Sequence, residues 1–186
     1  MNVSHIAIPY AKAILALALE KQVLEPTLED MKLISSLCHS NREFKMMLKS
    51  PVVRTDKKMV IVKKVFDQVL SKLTLSFINI IIRKNRESFI PEIADEFLEI
   101  YKDHMGILTT ILKTATPASE EIKLQMVGLM KNYTKKEIEL VEEVKAELIG
   151  GFILQWEDKQ YDASILTQIN KMKRDMAELN LYQKKY

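Results

Sequence analysis

The chain has 186 residues, with 28 Lys and Arg against 25 Asp and Glu, 47% hydrophobic residues, four Gly, five Pro and one Cys. A chain of this length buries roughly 70% of its extended surface and needs neither metals nor disulfides for a core, so Cys38, with no second cysteine to pair with, reads as a small buried hydrophobe in a reducing compartment rather than a reactive thiol. The net charge of +3 hides no polybasic tail, because residues 1–106 carry 16 basic and 13 acidic side chains and residues 107–186 carry 12 of each.

No glycine occurs from Asn2 to Met105, so helices are expected to fill that stretch. Pro9 suits the first turn of a helix running from about Ile8 to Gln22. Thr27 with Asp30 resembles a capping box ahead of Leu28, Met31, Ile34, Leu37 and Cys38, which share a helical stripe ending near His39. Asn41 is placed to cap a short third helix through Leu48, and Ser50-Pro51 ends it. Thr55-Asp56 begins a fourth helix with Met59, Val62, Val65, Phe66 and Val69, and Ser71 to Asn85 forms a fifth. A sixth opens at Ser88 to Pro91, carries Ile93, Ala94, Phe97, Leu98 and Tyr101 on one stripe, and stops at Gly106.

Beyond Gly106 the period changes. Residues 107–112 are rich in β-branched side chains, and Ile138, Leu140 and Val144 stand at even spacing around exposed-type Glu139 and Glu142. Between these runs Ser119 caps a seventh helix that reaches about Tyr133. Leu148 to Trp156 and Lys159 to Tyr161 flank Glu157-Asp158 as a hairpin, and Asp162 can cap a last helix bearing Ile165, Leu166, Ile169, Met172 and Met176. The fold class predicted is mainly α with a small α+β part: a six-helix bundle over residues 1–106, then a smaller domain over 107–186 with a short β-sheet and two helices.

Chemistry-bearing patterns are sparse. Gly150-Gly151 is the one close pair of glycines, and it reads as a β-bulge or a close backbone contact rather than a phosphate cradle. His5, His39 and His104 lie in separate segments without metal-ligand spacing, so no metal, cofactor or catalytic residue is assigned. Glu120-Glu121 and Glu142-Glu143 read as a helix-dipole complement and a solvated edge. The cluster Arg54, Lys57, Lys58, Lys63 and Lys64 reads as a solvated helix face, with a nucleic-acid-binding or regulatory module as the alternative. The longest apolar candidates, Ala13–Leu19 and Phe77–Ile82, fall well short of the ~20 residues of a membrane span. Met1–Ile8 has no Lys or Arg of a secretory signal, which makes a cytosolic chain the expectation.

The informative feature is an apolar excess on the first and fifth helices. Between Ile6 and Leu19 the single charge is Lys12, and Leu73–Ile82 has none. On the first helix Ala7, Ala11, Ile14 and Ala18 form one line and Tyr10, Ala13 and Leu17 another. On the fifth, Phe77 and Ile81 share a line beside Ile78 and Ile82. Either both helices are central in the bundle or they leave a trough for an amphipathic helix of another protein.

Several motifs resemble those of the δ subunit family of bacterial F-type ATP synthase, related to the mitochondrial oligomycin-sensitivity-conferral protein. They are Pro9-Tyr10-Ala11-Lys12-Ala13, with Ile8 where the family commonly has arginine, Ser50-Pro51-Val52, and Asn85-Arg86 followed by Ile90-Pro91-Glu92-Ile93. Towards the C-terminus they are Leu148-Ile149-Gly150-Gly151-Phe152, Asp158-Lys159-Gln160 and Asp162-Ala163-Ser164. The resemblance implies a non-catalytic connector that resists rotor torque during proton-driven ATP synthesis. Its first domain would hold the N-terminal helix of an α subunit, and its second would bind the C-terminal ends of the peripheral-stalk b subunits. It further implies a chain that is a monomer when isolated, peripheral on the inner face of the bacterial cytoplasmic membrane, associated with that membrane only through partners, and without nucleic acid.

Carried onto this chain, the groove candidates are Tyr10, Ala13, Ile14, Leu17, Ile78, Ile81 and Ile82. Gly150, Gly151, Asp158, Asp162 and Ser164 are implied as structural, with the glycines in a strand, Asp158-Lys159 turning the hairpin and Asp162 starting the last helix.

Overall fold

The computed structural model describes residues 4–183, with side chains described over 5–176. The chain divides into two compact units, Met1–Met105 and Gly106–Tyr186.

The first unit holds six α-helices among its described residues: α1 (Ser4–Glu20), α2 (Leu24–Ser40), α3 (Arg42–Lys49), α4 (Thr55–Phe66), α5 (Lys72–Arg83) and α6 (Ile90–Met105). A short 3-10 turn, Glu87–Phe89, leads into α6. Helix α6 lies against both α1 and α2, and α5 packs on α4 and α2. Ala7, Ala11, Ile14 and Ala18 of α1 are buried, as are Ala94 and Phe97 of α6, and the small alanines among them let helix axes approach closely.

The helix starts differ from the sequence reading in two places. Pro9 sits inside α1, since the helix begins a turn earlier than its position suggested. Its ring supplies no N–H to the carbonyl of His5, and His5 is exposed, so water can satisfy that carbonyl. Thr27 and Asp30 form no capping box, because α2 already begins at Leu24. The Thr27 hydroxyl donates instead to the Val23 carbonyl at 2.7 Å, and the buried Asp30 carboxylate accepts the Ser71 backbone N–H at 3.0 Å, tying α2 to the start of α5. Asn41 does cap α3, accepting from the Phe44 amide. Of the apolar residues assigned to the fourth helix, Val65 and Val69 are exposed, and Val69 lies beyond the helix.

Two helices of this unit end in left-handed residues that are not glycine. After α1, Gln22 adopts a φ of 55°, with Val23 N–H donating to Ala18 C=O and Gln22 N–H to Leu19 C=O. After α5, Asn85 does the same with a φ of 55°, Arg86 N–H reaching Ile81 C=O and Asn85 N–H reaching Ile82 C=O. This paired closure satisfies the last helical carbonyls, and asparagine tolerates the left-handed region better than most residues. It explains Asn85-Arg86 as a stop signal for α5.

The basic cluster is not one surface. Lys58 is only 3% exposed, donating to the Leu48 carbonyl at 2.9 Å and to Glu87 at 2.7 Å, so one of its five cations is an internal strut. The nucleic-acid alternative loses its continuous face.

The second unit carries a four-stranded sheet in the order β2-β1-β3-β4, built from β1 (Ile107–Thr114), β2 (Glu137–Val144), β3 (Phe152–Trp156) and β4 (Lys159–Asp162). β1 pairs in parallel with β2 through the crossover helix α7 (Glu120–Thr134), and antiparallel with β3, which pairs antiparallel with β4. The last helix is α8 (Ile165–Gln183). Side chains alternate along β1, burying Leu108, Thr110, Leu112 and Thr114, as the period of two requires.

Glu142 is no solvated edge residue. Its carboxylate accepts the Ala118 N–H at 2.6 Å and pairs with Lys123 at 3.0 Å, fixing the approach to α7, whereas Val144 is exposed. That backbone N–H, then Lys123, holds the Glu142 carboxyl below the usual carboxylate range.

Gly150 and Gly151 precede β3 rather than lying within it, and Leu148 belongs to a 3-10 turn, Ala146–Leu148. Gly151 has a φ of 74°, and a Cβ there would stand 2.3 Å from the Ala163 carbonyl oxygen. The close approach lets Ile165 N–H donate to Gly150 C=O at 3.0 Å, seating the start of α8. The turn between β3 and β4 is Glu157-Asp158, with Lys159 already in the strand. At the start of α8 the cap itself is Ser164, whose hydroxyl accepts the Thr167 N–H at 3.3 Å. Asp162 braces it two residues earlier, accepting from Ser164 N–H at 2.8 Å and Thr167 Oγ1–H at 2.8 Å. The Ser164 amide is the first reason that the Asp162 carboxyl lies below its ordinary range.

Candidate functional site: an apolar groove between α1 and α5

Helices α1 and α5 run in opposite senses, Tyr10 lying against Phe77 and Leu17 near Leu73, and between them is a groove of about 550 Å³. Leu17, Val23, Pro26, Leu73, Phe77 and Ile80 supply its apolar lining, with Ser71 and Ser76 the uncharged polar side chains. Lys21 and Lys72 stand at the end where α1 finishes and α5 begins.

Towards the other end, the Tyr10 and Phe77 rings meet edge to face with centroids 6.4 Å apart. Arg86 donates to the Tyr10 hydroxyl at 2.7 Å, its guanidinium carbon 5.6 Å from the centre of the same ring. The arginine thus holds the tyrosine that buttresses the groove wall, from the segment that terminates α5.

Local sequence accounts for the geometry of α5. Ser71 caps the helix by accepting the Thr74 N–H, and the buried line Thr74, Ile78, Ile81 and Ile82 turns inward. The opposite line, Lys72, Ser76, Ile80 and Arg83, turns out, with Leu73 and Phe77 at its margin. Ile80 is 50% exposed, a large apolar side chain that the unit itself leaves uncovered.

The seven groove candidates divide accordingly. Tyr10, Ala13 and Leu17 lie on the outward side of α1: Tyr10 is half-buried, Ala13 and Leu17 are exposed, and Leu17 lines the groove. Ile14 of α1 and Ile78, Ile81 and Ile82 of α5 are buried in the unit's own core and do not line the groove. Leu73, Phe77 and Ile80 take their place as lining. Hydrophobicity does not distinguish core isoleucine from groove isoleucine. The available signal was that Lys72, Ser76 and Arg83 share a helical line with Ile80, and polar neighbours mark the side away from the core.

A second apolar trough, of about 340 Å³, lies within the other unit. Met126, Leu129, Met130 and Tyr133 of α7 face Phe152, Leu154 and Trp156 of β3 and Tyr161 of β4. Alternation puts Phe152, Leu154 and Trp156 on one face of the sheet, and cross-strand pairing sets Tyr161 beside Leu154. Met172 and Met176 of α8 are also exposed. Sequence reading missed this trough because its residues come from three elements.

The constellations that resemble catalytic machinery are ordered for structure. Ser35, His39 and Asp95 come together, but Ser35 donates to Asp95 and His39 contacts the same carboxylate at 3.2 Å. Activation of a serine requires the imidazole between hydroxyl and carboxylate, and here the carboxylate is in the middle. Burial pushes the Cys38 thiol up to about 11, which keeps it protonated and inert. Among the described residues no group of three or more His, Cys, Asp or Glu could hold a metal, and no helix is long and apolar enough to cross a membrane.

Known proteins place this architecture. A sequence model of the ATP synthase delta (OSCP) subunit family matches residues 6–176. An ATP synthase subunit delta from Cytophaga hutchinsonii is 32% identical over 178 residues, 96% of this chain and 97% of the relative. One from Salinibacter ruber is 31% identical over 92% of this chain and 90% of its own length. A chloroplastic one from Ochrosphaera neapolitana is 30% identical over 92% and 97%. The fold is also that of a chain in the cryo-EM structure of the Toxoplasma gondii mitochondrial ATP synthase hexamer, with a TM-score of 0.68 at 18% identity over 92% of this chain and 97% of that one. With a family match over nearly its whole length, the chain belongs to the ATP synthase delta (OSCP) subunit family, the non-catalytic connector of F-type ATP synthase.

Proposed function

We propose that the first unit clasps the N-terminal helix of an α subunit in the α1/α5 groove, while the second binds the C-terminal ends of the peripheral-stalk b subunits. The observation that carries the reading is the uncovered groove wall of Leu17, Leu73, Phe77 and Ile80, on a unit whose core is otherwise complete. Amphipathic helices lay their apolar face into grooves of this kind. For the stalk, the trough between α7 and β3–β4 and the exposed methionines of α8 are the apolar surfaces available.

In this reading the chain works by holding. Torque on the catalytic head is resisted only while head and stalk stay joined, so two rigid units with separate docking surfaces perform the task without chemistry. The chain is a monomer in isolation and sits on the cytoplasmic face of a bacterial cytoplasmic membrane, attached through its partners.

The test is reconstitution. Membranes carrying ATP synthase stripped of this subunit should hydrolyse ATP without pumping protons, and added wild-type chain should restore pumping. A chain with Ile80→Glu should fold and fail to restore it, because a charge in the trough must be desolvated when the helix docks. Full restoration by Ile80→Glu would contradict the groove.

A further inference from the structure

The groove has a charged frame as well as an apolar floor. Lys21 and Lys72 line its open end, and Arg86 stands beyond Tyr10 at the other. Lys21 and Lys72 pair with no carboxylate among the described residues, as holds for Lys12, Lys32, Lys57, Lys63 and Lys64, and the Arg86 side chain is bonded to the Tyr10 hydroxyl alone, so what sets these three apart is their place at the ends of the groove. Glu20 is the neighbouring acid, and it too is exposed and unpaired among them. The N-terminus of α5 adds nothing to this, since the buried Asp30 carboxylate already accepts the Ser71 N–H there.

We propose that the groove selects its helix by charge as well as by apolar fit, taking an amphipathic helix whose apolar stripe is bracketed by carboxylates. One set meets Lys21 and Lys72, the other meets Arg86. The proposal rests on the helix-in-groove reading above and adds register to it. The apolar floor alone lets a helix slide by a turn, whereas cations at fixed separation do not. The 12 residues of α5 span about 18 Å, so the stripe between the acidic flanks is about three turns long. Opposite charges at the rim of an interface act mainly on encounter rate, register and salt dependence.

Calorimetry of the full chain with a synthetic peptide from the N-terminus of the α subunit of the same organism separates the possibilities. In about 0.05 M salt, Lys21→Gln/Lys72→Gln should weaken binding about fivefold, with a gap that closes at about 0.5 M as screening takes over. Arg86→Gln should behave in the same way while Tyr10→Phe leaves the salt dependence intact. Ile80→Gln should weaken binding at both salt concentrations. Amidation of the peptide's flanking carboxylates should reproduce the lysine loss and make the lysine variant indifferent.

If the lysine and arginine variants bind as wild type at both salts while Ile80→Gln is weakened, charge selection is wrong and the groove stands. A peptide that binds tightly with no flanking carboxylates overturns it as well. If wild type itself does not bind, the helix-in-groove reading falls and the selection with it.

Discussion

At the scale of single residues, the fold depends on a few side chains with no spare partner. Lys58 and Glu87 are buried together, and the lysine also reaches the Leu48 carbonyl, so one ammonium joins α3, α4 and the turn before α6. Lys58→Met should cost about 3–5 kcal/mol, because it strands the Glu87 carboxylate, whereas Lys58→Met with Glu87→Leu should recover most of that loss. Urea unfolding of the single and double variants measures it. Gly151→Ala should destabilise the second unit by about 2–4 kcal/mol, since the new methyl meets backbone in a left-handed residue; Gly150→Ala should cost less, because it meets only the tip of Ile165.

The Asp162 carboxyl is held below its ordinary range by groups it bonds only when folded, so its contribution is present above the unfolded value and lost as pH falls through the folded one. The second unit should therefore lose stability on acidification below about pH 4. Asp162→Asn should flatten that loss in a pH series of thermal melts.

At the scale of elements, legibility followed whether a signal was local. The Asn41 cap of α3, the Ser119 cap of α7 and the Gly106 stop depend on residues within one turn, and each is visible from spacing alone. The two lines on α1 were also separable, because alanines at positions 7, 11 and 18 belong where another helix comes close. The capping box at Thr27 failed because α2 already begins at Leu24, and Asp30 is engaged by Ser71, 41 residues away, a contact that no local pattern carries. The groove face of α5 failed for a related reason: four isoleucines in five positions look alike until the packing against α2 and α4 is known. The trough in the second unit is assembled from three segments, so no single run of residues announces it.

At the scale of the whole molecule, each of the two compact units has an apolar groove or trough among its described residues, and the proposed docking of two partners uses one in each. The surfaces should then be independently breakable. Ile80→Glu should abolish binding of the α-subunit peptide and leave unchanged the binding of a fragment from the C-terminal end of a b subunit, and Leu129→Glu should do the reverse; pull-downs with each fragment read this out. Residues 1–105 should also unfold cooperatively alone, as a unit with its own core does.

The most direct measurement is methyl NMR of the full chain during titration with the α-subunit N-terminal peptide. Shifts should be confined to the groove, at the methyls of Leu17, Leu73 and Ile80, while the exposed methyls of Val60 and Val65 on α4 and those of Leu129 in the second unit stay in place. Saturable shifts at α4 or α7 with the groove methyls unmoved would contradict docking in the groove.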